Sequence, residues 1–444
     1  MADQRLLKAL HGITAEEAER LYGDQGTLTP PDPGVNLAPV KRVAIFAESF
    51  LPKVDGVSKT AFLTLRYLQR SGREVLVFAP DIAPHAVGES RVVPLPSVAW
   101  YKAPESRMAL PHPMIISQHL NSFKPDLIHL FSPALLSLGA AIMGRQNHIP
   151  VVANYQTDLP SYANHYNLAL FSQALKDTLR YLHNQCHLTL VPSNWTASQL
   201  QGAGYHRLRK WGRGVNAGHF HPSRRTSEWR ARLLNGRDPN SLLCIYVGRL
   251  ANEKRVDLLL EVARTPGIAL TIIGDGALRH ELETLFAGTN THFTGYLYGE
   301  DLAHAYASAD AFMFTGACET FGQVVQEAMS SGLPCVVMNQ GGVTDLVTDG
   351  VNGFTCPPDS QAFAAAAVAL RDDVTLRERM AAASRAYAER NPWEAVLAQL
   401  ETHYGEALEL NDRMGRLILP NMGLLGKIIQ FGAAPARKTD ERVS

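Results

Sequence analysis

The sequence predicts an α/β fold of two doubly wound, parallel-sheet domains facing a central cleft. Two observations predict it. Short β-rich runs alternate with helical patterns from residue 41 onward, and the alternation breaks at a polar stretch, HPSRRTSEWRARLLNGRDPNS (221–241), and then restarts. In such domains ligands bind outside the carboxyl ends of the strands, so two such edges facing each other make a cleft.

Residues 1–40 read as a short helix over 15–22 and a breaker-rich linker, TLTPPDPGVNLAP. The first domain, 41–213, takes its strands from RVAIFAE (42–48), EVLVFAP (74–80), DLIHLFSP (126–133), PVVANYQ (150–156) and LTLVPS (188–193). KTAFLTLRYLQRSG (59–72) is one of the helical patterns between them. The second domain, 214–390, takes its strands from SLLCIYVGRL (241–250), IALTIIGDG (268–276), THFTGYL (291–297), DAFMFTG (310–316) and PCVVMN (334–339). A helix over 391–411 and a tail over 412–444 complete the chain.

Composition narrows the function. The chain has 444 residues, and its 42 Lys and Arg balance 42 Asp and Glu, so no overall field draws it to nucleic acid. The longest apolar runs are too short to span a bilayer. The N-terminus carries acids and lacks a long apolar segment, which argues against a secretory signal. Five scattered cysteines without a Cys-x-x-Cys pair suggest neither a disulfide framework nor a zinc knuckle, and a cytoplasmic setting is the default expectation. Absent motifs exclude further classes. There is no GxxxxGK[ST] for a P-loop, no HExxH, no GxSxG, and no GxGxxG after the first strand.

Three segments carry chemistry. ACETFGQVVQEAMSSGLP (317–334) follows a strand, begins a helix near Gly322 and stops at Gly332–Pro334. Glu319 falls in the strand-to-helix turn and Glu327 inside the helix. The amides of Phe321, Gly322 and Gln323 are then open donors at a helix N-terminus, suited to a phosphate. Gly322 permits close approach, and ionised Glu327 suits a vicinal diol such as a ribose. The same spacing also fits a dipole-favoured acid plus a solvated helix acid. GRLANEKRVD (248–257) places Arg249 and Lys254 beyond a strand, where two cations would neutralise a diphosphate leaving group; an ordinary basic loop fits as well. ESFLPKVDGVSKTAFLTL (48–65) places Gly56 before a helix, presenting its amide to a phosphate or forming a plain Asp-Gly turn.

Together these segments resemble glycosyltransferase family 4, whose architecture is the two-domain B-type fold. The resemblance covers roughly residues 41–410. It is carried by LPKVDGVSKT, VPSNWTASQL, WGRGVNAGHFHP, GRLANEKRVDLLL, IIGDGALRHELE, FTGYLYGEDLAHAYASADAFMF and ETFGQVVQEAMSSGLPCV. WEAVLAQLETHYGEAL (393–408) resembles the terminal helix that crosses back onto the N-terminal domain. The resemblance implies a retaining, metal-independent hexosyltransferase that uses a UDP- or GDP-sugar and needs no cofactor. It implies that Arg249 and Lys254 clamp the diphosphate, Glu319 faces the donor sugar and Glu327 holds the ribose. The amides of Phe321, Gly322, Gln323 and Val324 would meet phosphate and sugar, with Gly56 covering the phosphate from the other domain. Base recognition would involve the loops near Gly274 and Tyr296.

One position departs from the family, which commonly has a His-Thr pair after the fourth strand. ANYQTDLPSYA (153–163) has Gln156 there, which cannot move a proton and reads either as a hydrogen-bond partner of a sugar hydroxyl or as a buried amide tying the loop. Members similar to α-mannosyltransferases and sulfolipid synthases carry a closely similar Tyr-Gln-Thr-Asp run. Asp158 reads either as an acceptor contact or as a helix N-cap. Many relatives act on lipids, so a lipid or glycan acceptor and peripheral membrane contact at a cytosolic face are expected. The tail RMGRLILPNMGLLGKIIQFGAAPARK (413–438) reads either as a membrane-surface helix or as a docking tail. A catalytically silent nucleotide-sugar-binding or assembly subunit is the competing reading.

Overall fold

RVAIFA is apolar beyond its first residue because both of its faces are covered. In the computed structural model it forms β1 (Arg42–Ala47). Val43, Ile45 and Ala47 enter one hydrophobic cluster, while Ala44 and Phe46 enter another on the opposite face. The residues described are 14–18, 34–53, 55–100, 103–131, 135–156 and 169–415.

The first sheet also contains β2 (Glu74–Pro80), β3 (Ala86–Val87) and β4 (Ser90–Leu95), and a separate hairpin joins β5 (Ser97–Trp100) to β6 (Ala103–Ala109). Its other strands are β7 (Leu127–Phe131), β8 (Val151–Asn154), β9 (Leu188–Val191) and β10 (Leu208–Lys210). The strand order is β10-β9-β8-β7-β1-β2-β4-β3, so the winding reverses between β1 and β7. Loops leave the carboxyl ends of the strands on either side of such a reversal and open a crevice for a ligand. The loop after β1 leads to Gly56, and β8 leads to Gln156.

The second sheet contains β11 (Leu242–Val247), β12 (Ile268–Ile273), β13 (Thr291–Gly295), β14 (Ala311–Phe314), β15 (Cys335–Met338) and β16 (Gly353–Cys356). Its order is β13-β12-β11-β14-β15-β16, and the winding reverses between β11 and β14. Arg249 and Lys254 follow β11, and Glu319 follows β14. Both charged motifs therefore stand at the one place in this sheet where the topology opens a crevice.

The helix Trp393–Met414 returns to the first domain. Trp393, Val396, Leu397, Leu400, Tyr404 and Ala407 form one apolar stripe and join the cluster of β1 rather than that of the second sheet. Glu401 lies on the same face. Its carboxylate takes a two-pronged contact from Arg73 at 2.6 and 2.9 Å, the Tyr67 hydroxyl at 2.8 Å and the Ala38 amide at 2.9 Å. At the join, a Cβ on Gly214 would drive into the Trp393 backbone, so only glycine lets the linker pass the start of this helix.

Several expectations shift. The predicted helix over 59–72 runs Gly56–Arg70, capped by the Asp55 side chain on the Ser58 amide at 2.7 Å. The helix predicted over 391–411 runs Trp393–Met414, so it extends into the expected tail. Of the predicted helix over 15–22, only Ala15–Ala18 is described. Asp158 and residues 416–444 lie outside the described residues.

Candidate active site

The helix Gln323–Ser330 starts from Gly322, whose φ is +96°. A Cβ there would sit 2.5 Å from Val343 Cγ1 as well as in a backbone region that side chains disfavour. Gly322 is thus explained by packing, while it also leaves the helix start bare. Among the described residues, the amides of Phe321, Gly322, Gln323 and Val324 donate to no protein acceptor. The Gly56 helix begins differently, with the Asp55 carboxylate capping the Ser58 amide, and a Cβ at Gly56 would meet nothing within 4 Å.

These two helix starts, one bare and one capped by Asp55, come from opposite domains and approach each other. Lys59, in the first turn of the Gly56–Arg70 helix, has its Nζ 3.7 Å from Oε1 of Glu327 on the Gln323 helix. Glu327 is buried, and burial raises its carboxyl above the usual range. Lys59 opposes that shift, as does the Tyr306 hydroxyl, which also donates to the Val324 carbonyl at 3.2 Å.

Beside this contact, Lys254 forms an ion pair with Glu319, joining the loops after β11 and β14. The Lys254 carbonyl accepts from Thr315 Oγ1 at 2.7 Å, which fixes the start of that reach. Arg249 lies farther out, half exposed, with Nη2 at 3.2 Å from buried Glu253. The buried Tyr246 hydroxyl donates to the Arg249 carbonyl at 3.1 Å. Burial pushes the Tyr246 phenol upward, and Lys254, Glu319, Glu253 and Arg249 all act on it, so these four charges surround one ring.

The other sequence-predicted residues take distinct places. Gln156 is buried, and neither atom of its side-chain amide has a partner among the described residues. Its carbonyl accepts from Thr320 Oγ1 at 2.8 Å, tying β8 to the Glu319 loop across the cleft. The Gln323 side chain turns away from the helix start and donates to the Gly214 carbonyl at 3.0 Å. Gly274 is needed for packing, because a Cβ would drive into the Gly248 carbonyl oxygen. Tyr296 is half exposed and donates its hydroxyl to the Asp275 carbonyl at 2.8 Å. Among the described residues no three His, Cys, Asp or Glu gather as a metal site.

Sequence reasoning missed two contacts. Lys59 stands in a quoted motif, but nothing in its spacing points to Glu327 in the other domain. Asp345 accepts from the Asn194 and Trp195 amides at 2.7 and 3.3 Å and pairs with Lys210 at 3.0 Å, forming an interdomain clasp. Its only local signal is an acid after the Gly341-Gly342 pair.

Comparisons with known proteins agree with this fold. Residues 54–219 match the family described as Glycosyltransferase Family 4, and residues 227–387 match Glycosyl transferases group 1. A GDP-mannose-dependent alpha-mannosyltransferase of Mycobacterium tuberculosis is 38% identical over 82% of this chain and 96% of its own length. The sulfoquinovosyl transferase SQD2 of Arabidopsis thaliana is 36% identical over 82% of this chain and 73% of its own. In fold, the sucrose-phosphate synthase structure from Thermosynechococcus elongatus has a TM-score of 0.68 at 19% identity, covering 82% of this chain and 98% of that one. The relatives are named as transferases, so the silent-subunit reading is set aside. With twin winding reversals facing one cleft, the chain belongs to glycosyltransferase family 4 and is a glycosyltransferase of the two-domain B-type fold.

Proposed function

We propose that the chain moves a hexosyl group from a nucleotide-diphosphate sugar to a lipid or glycan acceptor, with retention and without a metal. The observation that carries this reading is the bare start of the Gln323–Ser330 helix meeting the Gly56–Arg70 helix of the opposite domain, with the Lys254–Glu319 pair beside them. Breaking a glycosyl–phosphate bond develops negative charge on the diphosphate and positive charge at the sugar ring. Lys254, Arg249 and the open amides of Phe321 to Val324 answer the first charge. Glu319 answers the second, and Glu327 takes the ribose diol. Gly56 covers the phosphate from the first domain.

Gln156 fits a positioning role. Among the described residues its buried amide has no partner, a state that costs about 1–3 kcal/mol and that a sugar hydroxyl would relieve on binding. Its carbonyl bond to Thr320 holds it beside the Glu319 loop.

GDP-mannose is the donor we propose, because the mycobacterial relative is named for it and spans nearly its whole length in the match. Tyr296 and the Gly274 loop stand near the Arg249 strand end and would frame the base. A lipid acceptor at a cytosolic membrane face is supported by the mix of Arg, Lys and large apolar residues at 413–438.

Thermal-shift screening against GDP, UDP and their common sugars tests the donor, since a ligand of the native state raises its stability. Release of GDP from GDP-mannose, unchanged by EDTA, is the expected result. No stabilisation by either nucleotide would remove the donor reading. Liposome flotation with and without residues 412–444 tests the membrane contact, and equal binding would remove the tail's role.

A further inference from the structure

A cavity of about 200 Å³ lies where the join meets the second domain and the crossover helix. Lys210 and Arg213 line it from the join, Phe321, Gln326 and Asp345 from the second domain, and Val396 from the helix Trp393–Met414. Gly56, Arg249, Lys254, Glu319 and Glu327 are not on its walls. Arg213 is the member of this lining whose charge lacks an answer. It is 8% exposed, and burial alone pushes its guanidinium down to about 10. No carboxylate among the described residues acts on it, Asp345 included. Its Nη1 donates to the Trp211 and Gly212 carbonyls at 3.3 and 2.9 Å, and its Cζ lies 5.4 Å from the centre of the Trp211 ring. Its Nε and Nη2 donate to no acceptor among the described residues. Arg73, buried as deeply, has Glu401 at 2.6 Å. A guanidinium stays protonated in a protein, so burying it without an anion is costly, and a ring contact offsets only part of that cost. Lys210 brings a second cation. Asp345, its partner at 3.0 Å, is already committed to the Asn194 and Trp195 amides as well. The walls thus carry two positive charges against one negative charge.

We propose that this cavity binds a phosphate-sized oxyanion on Arg213, with Lys210 beside it. Nε and Nη2 form the side of the guanidinium fork that can hold two oxygens of one anion at once. Such an anion would touch the join, the second domain and the crossover helix together, and so hold the two domains at one setting. It would also bear on the donor helix, because Gln326 donates to the Arg213 carbonyl at 2.9 Å and is the chain neighbour of Glu327. The cavity is thus a place for an effector, separate from the donor diphosphate.

Thermal shift of the full chain with inorganic phosphate, against chloride at equal ionic strength, tests this, since a ligand of the native state raises its midpoint. Phosphate should raise the midpoint of the wild type and of Lys254→Ala alike, because Lys254 belongs to the donor cleft. From the concentration dependence of the shift, Arg213→Met should bind phosphate about tenfold more weakly. Lys210→Met should weaken binding a few-fold, and it repeats the test on a half-exposed side chain should Arg213→Met fail to fold. Glycerol 3-phosphate separates two sources of the anion: tighter binding than phosphate marks a phosphorylated metabolite, and weaker binding marks free phosphate. No phosphate-specific shift in the wild type, or a full shift in folded Arg213→Met or in Lys210→Met, would overturn the inference. So would a shift that Lys254→Ala abolishes, since the anion would then sit in the donor cleft.

Discussion

Replacing Glu401 should release the Trp393–Met414 helix from the first domain. The carboxylate and Arg73 are each about 3% exposed at the side chain, so water offers neither of them a substitute partner. Glu401→Ala removes both prongs of the Arg73 contact and orphans the Tyr67 hydroxyl and the Ala38 amide. Among the described residues Arg73 then keeps the Val40 carbonyl at 2.8 Å, the Ser71 hydroxyl at 2.8 Å and a longer contact to the Ala38 carbonyl. Leaving one half of such a pair buried typically costs about 3–5 kcal/mol. That is about two to three and a half decades in the docking equilibrium of the helix.

Glu401→Gln separates charge from shape. Its amide oxygen can face Arg73 Nη2 and the Ala38 amide, while its NH2 faces the Tyr67 hydroxyl, which can rotate to accept. One Arg73 N–H is still left against another donor, so a loss of about 2–3 kcal/mol is expected. Hydrogen exchange over 393–414 is the direct assay, with chemical denaturation followed alongside. Protection there should fall before that of β11–β16. Arg73→Leu combined with Glu401→Leu should recover part of the loss, because no charge is then stranded, although the Val40 carbonyl loses its donor. Wild-type protection and midpoint in Glu401→Ala would refute the reasoning.

Other outcomes follow from single contacts. Lys254→Ala should lower turnover about a hundredfold with the fold intact, since one preorganised charge partner of the leaving group is worth about 3 kcal/mol; steady-state rates check it. Gly322→Ala should destabilise the protein by about 2–4 kcal/mol, the sum of a disfavoured dihedral and the collision with Val343, and Val343→Ala should relieve only the second part in denaturant melts. His129 and His183 are buried, and burial lowers them to about 4 and about 3. Their neutral forms are the ones the fold accepts, so their contribution is whole above pH 6.5 and shrinks as pH falls from there toward those values. Each costs about 1.4 kcal/mol per pH unit across that window, and melts from pH 7 to 5 should show the loss. His129 Nδ1 lies 2.8 Å from the Tyr404 hydroxyl, so acid should loosen the same helix that Glu401 anchors.

Central strands were readable because parallel strands covered on both faces must be apolar almost throughout. β4, β16 and the β5–β6 hairpin were not. SVAW and APESRMA, the hairpin strands, mix polar and apolar residues, and Pro104 breaks the strand pattern. β10 is LRK, which reads as a basic join because the chain leaves the sheet edge there. The motif glycines are readable as special, but one of their reasons is not: Val343 and the Gly248 carbonyl, both distant in sequence, leave no room for a side chain at Gly322 and Gly274. Glu319 and Lys254 were placed by motif, but their ion pair joins loops 65 residues apart and belongs to the sheet order. Lys59 and Asp345 escaped because each acts on the other domain, and no local periodicity encodes a contact across a cleft.

The charges of the cleft share one arrangement. Lys59 stands with Glu327, Lys254 with Glu319 and Arg249 with Glu253. Gln156, the neutral member of the set, has neither polar side-chain atom answered among the described residues. Desolvation explains the division. An unpaired charge at such depth costs several kcal/mol and would shift its pKa or unfold the loop that carries it, whereas an unpaired amide costs about 1–3 kcal/mol and can wait. A polyanionic donor entering this cleft would therefore exchange partners rather than fill vacant charges. Its affinity would be the difference between new contacts and old ones, and that difference can be larger for a diphosphate whose charge is growing than for one at rest. Pre-paired cations beside an orphaned amide are thus consistent with a site that holds its ground state moderately and answers the departing charge strongly.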